Sequence, residues 1–496
     1  MSLIWLVVPF ALGWLVYHFR WSFNAQLSRI PGPVSARFSR LYRLSMVANG
    51  RAPQEYKAAH DRYGSIVRLG PKHVSIADPA AIPVIYGVGS KFLKSDFYGL
   101  MTPVYRGRRI DSMFTARSNE VHKALKSPVA QYFSMTGMKA YEPYVDECTE
   151  IFMSAMRGLE GQTVDIAVWL QWYAFDVIAS ITFQRRFGFL EQARDIDDMI
   201  ARLDRGLQVV KYISSYPELG VVVRRFLGPL LSISGQKDPL VGFLDLCDEE
   251  IARYDQSSNE QSSRTDFLSQ LRQKKMPLGP GTPDENMINH LSNNLLAGSD
   301  TTGISLRACF YYILNNPAVL HTMRKEFDTS AAAGSLSDNC TLEEVLKLPY
   351  LQAVIKEAMR LHPGVGFPLE RYVLPAGATI CGVKLPAGTI VSMSASVVQL
   401  DEKVFGADAA EFRPERWLDG EQEQIKLMDR SLLVFGHGAR SCIGKNISLM
   451  EMSKFITQVL RSFDLVWAKP KHEWATETAW FWKQTDMPVV FKRREA

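Results

Sequence analysis

Cysteine is scarce in this chain: six in 496 residues (Cys148, Cys247, Cys309, Cys340, Cys381 and Cys442), none in a C-x-x-C pair. That excludes a zinc module and a disulfide scaffold, and it suits a reducing compartment. No G-x-G-x-x-G follows a strand, and no other flavin or nicotinamide signature is present, which argues against a dinucleotide-binding module in the chain. Internal repeats and interdomain linkers are missing too. Length alone suggests about three domains, but one large domain is the better expectation. Charge of one sign is also lacking: a net +5 and a pI near 8.7, with bases scattered among acids, give nucleic-acid binding no support. Such a surface suits an acidic protein partner or an anionic membrane face. Apolar residues are abundant, at 47% against 22% charged, which permits a large core and argues against disorder.

Residues 3–19 are almost continuously apolar, broken only by His18, and lie near the short end of a membrane span. No basic stretch precedes them and no small-x-small cleavage site follows, which favours a retained anchor over a cleaved signal peptide. Arg20 and Arg29 after the span leave the bulk of the chain cytosolic. The expected organisation is a transmembrane anchor over 1–20, a proline-containing linker over 21–33 stiffened by Ile30-Pro31-Gly32-Pro33, and a catalytic domain over 34–496.

The domain reads as mainly α with a small β-sheet region. Thr282-Pro283-Asp284-Glu285 is a capping box with proline at the first helical position, and the helix it opens can run to Asn315-Asn316-Pro317. A helix of about thirty residues crosses a whole domain. A second starts near Pro349, carries Leu351, Val354, Ile355 and Ala358 at helical spacing, and ends before Pro363. Residues 378–383 and 389–393 read as strands, and 256–264 and 274–281 as surface loops.

Chemistry concentrates in Phe435-Gly436-His437-Gly438-Ala439-Arg440-Ser441-Cys442-Ile443-Gly444. Three glycines, an arginine and a cysteine in ten residues suit a loop whose backbone approaches a flat ligand, with Cys442 at its end. N–H groups after the cysteine can stabilise a thiolate, and Arg440 can pair with a ligand carboxylate. In the long helix, Ala297-Gly298-Ser299-Asp300-Thr301-Thr302 joins weak helix formers, whose hydroxyls can open the backbone ladder, to an acid beside a hydroxyl suited to proton delivery. Glu357 and Arg360 can pair on one helix face. A cysteine hydrolase using Cys442 with His437 or His362 is the reading from another class.

The cysteine segment resembles, at every fixed position of F-G-x-G-x-R-x-C-x-G, the haem-binding loop of cytochrome P-450 enzymes, most like fungal microsomal members in its wording. The resemblance implies a cytochrome P-450 fold and haem b (iron protoporphyrin IX) with Cys442 as axial ligand. It implies that Phe435, Gly436, Gly438, Arg440 and Gly444 shape the haem loop, and that Asp300 and Thr301 relay protons. It also implies that Glu357 and Arg360 form a structural cluster with Arg416 of Pro414-Glu415-Arg416-Trp417, where the family usually has phenylalanine in place of Trp417. Arg371 resembles a propionate-binding arginine; His122 and Lys126 stand where the family has W-x-x-x-R. Phe97, Tyr98, Met113, Asn294, Leu295, Val365, Phe367, Leu369, Trp480 and Phe481 would line the pocket. The implied activity is oxygen insertion into a lipophilic small molecule in fungal secondary metabolism or detoxification. Electrons would come from NADPH-cytochrome P-450 reductase, with cytochrome b5 a further candidate, at the endoplasmic reticulum membrane. An isomerase or dehydratase needing no reductase is the alternative, and a haem sensor or carrier the third.

Overall fold

The computed structural model describes residues 16, 19–220, 239–256, 265–274, 277–469 and 473–495. The expected anchor lies almost wholly outside the described residues, as does most of the expected loop over 256–264. Among the described residues, one helix is long and apolar enough to cross a membrane, Ile166–Phe183, and it is 89% buried within the body. The segment 21–33 packs onto that body: Leu27 and Ile30 are buried, and the Arg68 guanidinium donates to the Trp21 carbonyl at 2.7 Å.

The helices around the interior are α1 (Asn119–Lys126), α2 (Glu142–Gly158), α3 (Ile166–Phe183), α4 (Met199–Ile213), α5 (Pro283–Asn315), α6 (Pro349–Leu361) and α7 (Lys445–Ser462). The long helix α5 begins and ends where its punctuation predicts. Thr282 Oγ1 accepts from the Glu285 N–H, Glu285 Oε2 accepts from the Thr282 N–H, and Asn316-Pro317 stops it after 33 residues. At 1.5 Å per residue it spans about 50 Å. It is unbroken through Gly298 to Thr302, so the expected opening of its ladder is not seen, although Thr301 Oγ1 does donate to the Ala297 carbonyl at 2.7 Å. Gly298 and Gly303 have another use: they let α3 lie close, and a Cβ on Gly298 would meet Ile178 at 2.6 Å. Helix α3, apolar on every side, is accordingly the buried partner of α5.

A five-stranded sheet flanks the helices: β1 (Ile66–Gly70), β2 (His73–Ile76), β3 (Leu93–Lys94), β4 (Leu369–Tyr372) and β5 (Ile390–Met393), in the order β1-β2-β5-β4-β3, antiparallel except for β2 with β5. Residues 378–383 are not one strand. Cys381 and Gly382, both at positive φ, fold them into a hairpin of Ala378–Ile380 against Val383–Leu385, the turn geometry that paired strands favour. A second hairpin, Ala475–Thr478 with Trp482–Thr485, brings Trp480 and Phe481 inward.

Beneath the cysteine loop lies a buried charge cluster. Glu357 accepts from Arg360 Nε and Nη2 at 2.8 and 2.7 Å, from Arg416 Nε at 2.8 Å and from Trp417 Nε1 at 2.9 Å. All four side chains are buried, and the guanidiniums complete their bonding on the Gln399, Ala409 and Asp408 carbonyls. Trp417, where the family usually has phenylalanine, thus adds a donor. Glu357→Gln should leave two buried cations underpaired and cost about 3–5 kcal/mol in denaturant unfolding. Trp417→Phe removes a single hydrogen bond and should cost about 1 kcal/mol.

Candidate functional site

The sheet, α5 and the cysteine loop enclose a cavity of about 1850 Å3. Cys442 sits deep in the molecule yet presents an accessible sulfur, because that surface is the cavity wall. Burial pushes its thiol up, while the N–H groups of Gly444 and Lys445 and the Lys126 ammonium pull it down. Two of the loop's glycines are required by geometry. Gly436 and Gly438 have φ of 66° and 62°, and a Cβ on Gly438 would stand 2.1 Å from the Tyr86 carbonyl. Gly444 has an ordinary φ, and a Cβ there would lie 4.0 Å from the Cys442 sulfur, an ordinary contact. The loop closes through the Cys442 N–H, which donates to the Phe435 carbonyl at 2.7 Å.

Five bases line one part of this wall: Lys94, His122, Lys126, Arg371 and Arg440. Their positions follow from the strands and α1. Arg371 and Leu369 share the inner face of β4, while Glu370 between them points away to Arg43 and Ser95. Lys94 on β3 is the direct cross-strand partner of Arg371, an arrangement that destabilises a sheet unless an anion intervenes. Lys94 was not legible in sequence as a site residue; only its register against Arg371 reveals it. Burial first, then Arg440, Lys126, Lys94 and Arg371, lowers the His122 pKa to about 3. Burial, with Arg371 next, lowers that of Arg440 to about 10. A wall of mutually repelling cations beside an accessible thiol fits a flat dianion with a metal at its centre, as the two propionates and iron of haem require.

Four of these bases already have protein partners: Lys94 Nζ donates to the Phe114 carbonyl, and Arg371 Nη1 donates to the Glu370 carbonyl at 2.7 Å and to the Tyr98 hydroxyl at 3.3 Å. Lys126 Nζ donates to the Ala439 and Ser441 carbonyls at 3.1 and 3.3 Å, bracing the cysteine loop. Arg440 donates to the carbonyls of Ala116 and Ser118 and to Asn119 Oδ1, fixing the start of α1.

Asp300 and Thr301 are neighbours in sequence but face opposite ways. Thr301 lines the cavity; Asp300 is buried behind α5 and does not. Its carboxylate accepts from Gln171 Nε2 and lies 3.0 Å from Lys483 Nζ, which also pairs with Asp204 on α4. Gln171 is held in turn by Arg307, whose Nη2 donates to its Oε1 at 2.8 Å. Of the expected pocket residues, Tyr98, Met113, Asn294, Val365, Phe367, Leu369, Trp480 and Phe481 line the cavity. Phe97 and Leu295 do not: Phe97 packs behind Trp480, with ring centroids 5.1 Å apart, and Leu295 faces the core of the helix bundle while Leu296 takes the cavity face. His362 is off the wall, its ring stacked on Trp482 and its Nε2 2.8 Å from the Trp482 carbonyl, so it cannot serve Cys442 as a base.

The family model for cytochrome P450 matches residues 32–486. Cytochrome P450 monooxygenase cicH of Emericella nidulans is 38% identical over 97% of this chain and 96% of its own. Pisatin demethylase of Fusarium vanettenii is 34% identical over 98% and 92%. The crystal structure of cytochrome P450DA heme domain superposes with a TM-score of 0.77 over 94% of this chain and 98% of that one, at 19% identity, a likeness of fold.

Lys94→Met keeps the apolar stem and removes the charge. It should weaken haem binding roughly 10- to 100-fold, the loss of one hydrogen bond to a charged group, read as haem transfer to excess apomyoglobin.

Proposed function

Because the chain belongs to the cytochrome P450 family and is a cytochrome P450 monooxygenase, we propose that it inserts one oxygen atom of dioxygen into a lipophilic small molecule, in fungal secondary metabolism or detoxification, and releases the other as water. The cavity carries this reading: at about 1850 Å3 it exceeds the roughly 300–1,000 Å3 of ordinary small-molecule sites, leaving room for a substrate beside a macrocycle. Tyr98, Phe367, Leu369, Trp480 and Phe481 give it an aromatic and aliphatic lining.

Haem b held through Cys442 would supply dioxygen activation, the thiolate favouring O–O cleavage. Lys94, Arg371 and His122 would receive its propionates, and Lys126 and Arg440 hold the loop that aims the sulfur. Thr301 is the hydroxyl at the cavity wall from which a proton is delivered. Asp300 resupplies it from behind the helix, drawing on solvent through Lys483 and the half-exposed Asp204.

Electrons would arrive from NADPH-cytochrome P-450 reductase, with cytochrome b5 a second candidate, at the exposed bases Arg117, Lys123 and Lys445 around the cysteine loop. We further infer an endoplasmic reticulum anchor over residues 1–20 with the catalytic domain cytosolic. Exposed Phe19, Phe23 and Phe38 support it, with ring centroids 4.4 and 5.8 Å apart along the series, since they extend the apolar run onto the body.

Cys442→Ala should abolish the red-shifted Soret band of the reduced carbon monoxide complex. Thr301→Ala should keep that band while diverting NADPH to hydrogen peroxide, product falling by about a hundredfold and NADPH oxidation far less. Full product yield per NADPH in Thr301→Ala would mean that another hydroxyl, such as the substrate's own, delivers the proton, whereas product formed without NADPH would move the isomerase reading ahead. Deleting residues 1–20 should release much of the protein from membranes with its haem spectrum intact; collapse of haem incorporation would make that segment part of the fold.

A further inference from the structure

Trp480 stands at the tip of the hairpin formed by Ala475–Thr478 and Trp482–Thr485, and its backbone is strained: φ is 113°, in the half of the map that favours glycine. Backbone bonds hold that strain in place on both sides. The Trp482 N–H donates to the Gly364 carbonyl at 2.9 Å and the Gly366 N–H to the Trp480 carbonyl at 2.9 Å, which zips the tip to the segment after α6. Gly366 permits the approach, since a Cβ there would stand 2.5 Å from Thr478 Cγ2. Glycine at 480 would relieve the backbone, yet a tryptophan stands there.

What the strained turn delivers is an indole. Trp480 is 3% exposed, and the surface it keeps is cavity wall. Its ring packs on Phe97, Phe114, Phe367 and Tyr98 with centroids 5.1, 5.6, 6.1 and 6.2 Å away. The Tyr98 hydroxyl in this cluster accepts from Arg371. Trp480 Nε1, a donor only, has no hydrogen-bond partner among the described residues. Trp482 Nε1 nearby is sealed inside the protein, but the Trp480 N–H is not, and it opens on the cavity.

A buried tryptophan N–H ordinarily finds an acceptor. Ordered water is a poor one here, because it needs two to four polar partners and three of the four rings around the indole are phenylalanines. An oxygen that arrives attached to an apolar ring is held twice, by the N–H and by the aromatic wall. Backbone strain that persists because its surroundings fix it is characteristic of ligand clamps.

We propose that Trp480 sets substrate specificity: its indole N–H donates to a carbonyl oxygen of the substrate, which is an aromatic carbonyl compound such as a ketone, lactone or quinone. The inference deepens the monooxygenase reading and rests on it. Because the turn aims the N–H before any ligand arrives, little ordering is lost on binding. Holding one oxygen fixes the rest of the molecule, so the contact that gives affinity also selects the carbon presented toward Cys442.

The test uses the haem-loaded full chain and two probes of similar shape, benzophenone and diphenylmethane, which differ by a carbonyl in place of a methylene. Binding is read without turnover, as the spin-state change of the resting haem spectrum. The ketone-to-hydrocarbon affinity ratio should fall roughly five- to tenfold in Trp480→Phe, the loss of one neutral hydrogen bond. Hydrocarbon affinity should move far less, because a ring is kept. Ultraviolet resonance Raman spectroscopy of the wild type needs no variant: the indole N–H band should shift on adding benzophenone and not on adding diphenylmethane. Should W480F fold poorly, that arm decides alone. An unchanged affinity ratio in W480F with its carbon monoxide spectrum intact, a band that does not shift, or a wild type that does not bind the ketone overturns the proposal and leaves the monooxygenase standing. A band already shifted in holoenzyme against haem-free protein, and unmoved by the ketone, assigns the N–H to the haem and overturns it as well. Wild type without the red-shifted carbon monoxide band would remove the monooxygenase reading, and this substrate class with it.

Discussion

The carboxylate of Glu357 receives hydrogen bonds from two arginines and an indole in a place that water does not reach, and the cysteine loop is built on it. Arg360 holds the Gln399 carbonyl through Nη1, and the Gln399 amide donates back to the Arg360 carbonyl. Gln399 Oε1 accepts from the Leu433 N–H, and the Leu433 carbonyl accepts from Gly436. Four links thus run from a helix cluster to the turn that aims Cys442. A buried ion cluster is weak evidence for stability as such, but each member removed leaves a charge uncompensated. Its value here is positional: it allows one arrangement of α6, the Pro414–Trp417 turn and the loop.

Helix α5 divides two electrical environments. On the cavity side it offers hydroxyls and amides, opposite a wall of bases. Behind it, Asp300, Gln171, Arg307, Lys483 and Asp204 form a charged network tied to α4, whose Leu203, Leu207 and Val210 reach the cavity. Movement of α4 and the state of Asp300 are therefore mechanically joined through one lysine.

Much of this was legible because it is local. The capping box at Thr282 and the proline at 317 delimit α5, and the cysteine loop declares its fixed residues by spacing. What was not legible depends on pairings between distant segments. Lys94 looks like an ordinary lysine until β3 is set against β4. Phe97 and Leu295 belong to the right segments, yet side-chain direction places them behind the wall. Asp300 reads as Thr301's partner in sequence, but about 100° of helical rotation separates consecutive residues. Residues 378–383 show strand composition, and only the backbone at Cys381 and Gly382 shows the turn that splits them.

The opposition of Lys94 and Arg371 across β3 and β4 bears on how the molecule is made. Two strands that place bases face to face pair less favourably than strands without them, so an anion bound beside them steadies the edge of the sheet as well as the site. A ligand that binds only the closed form stabilises it in proportion to the logarithm of its free concentration. A cell short of iron or porphyrin would then hold more of the chain in the less stable, unloaded form, the form that quality control clears first.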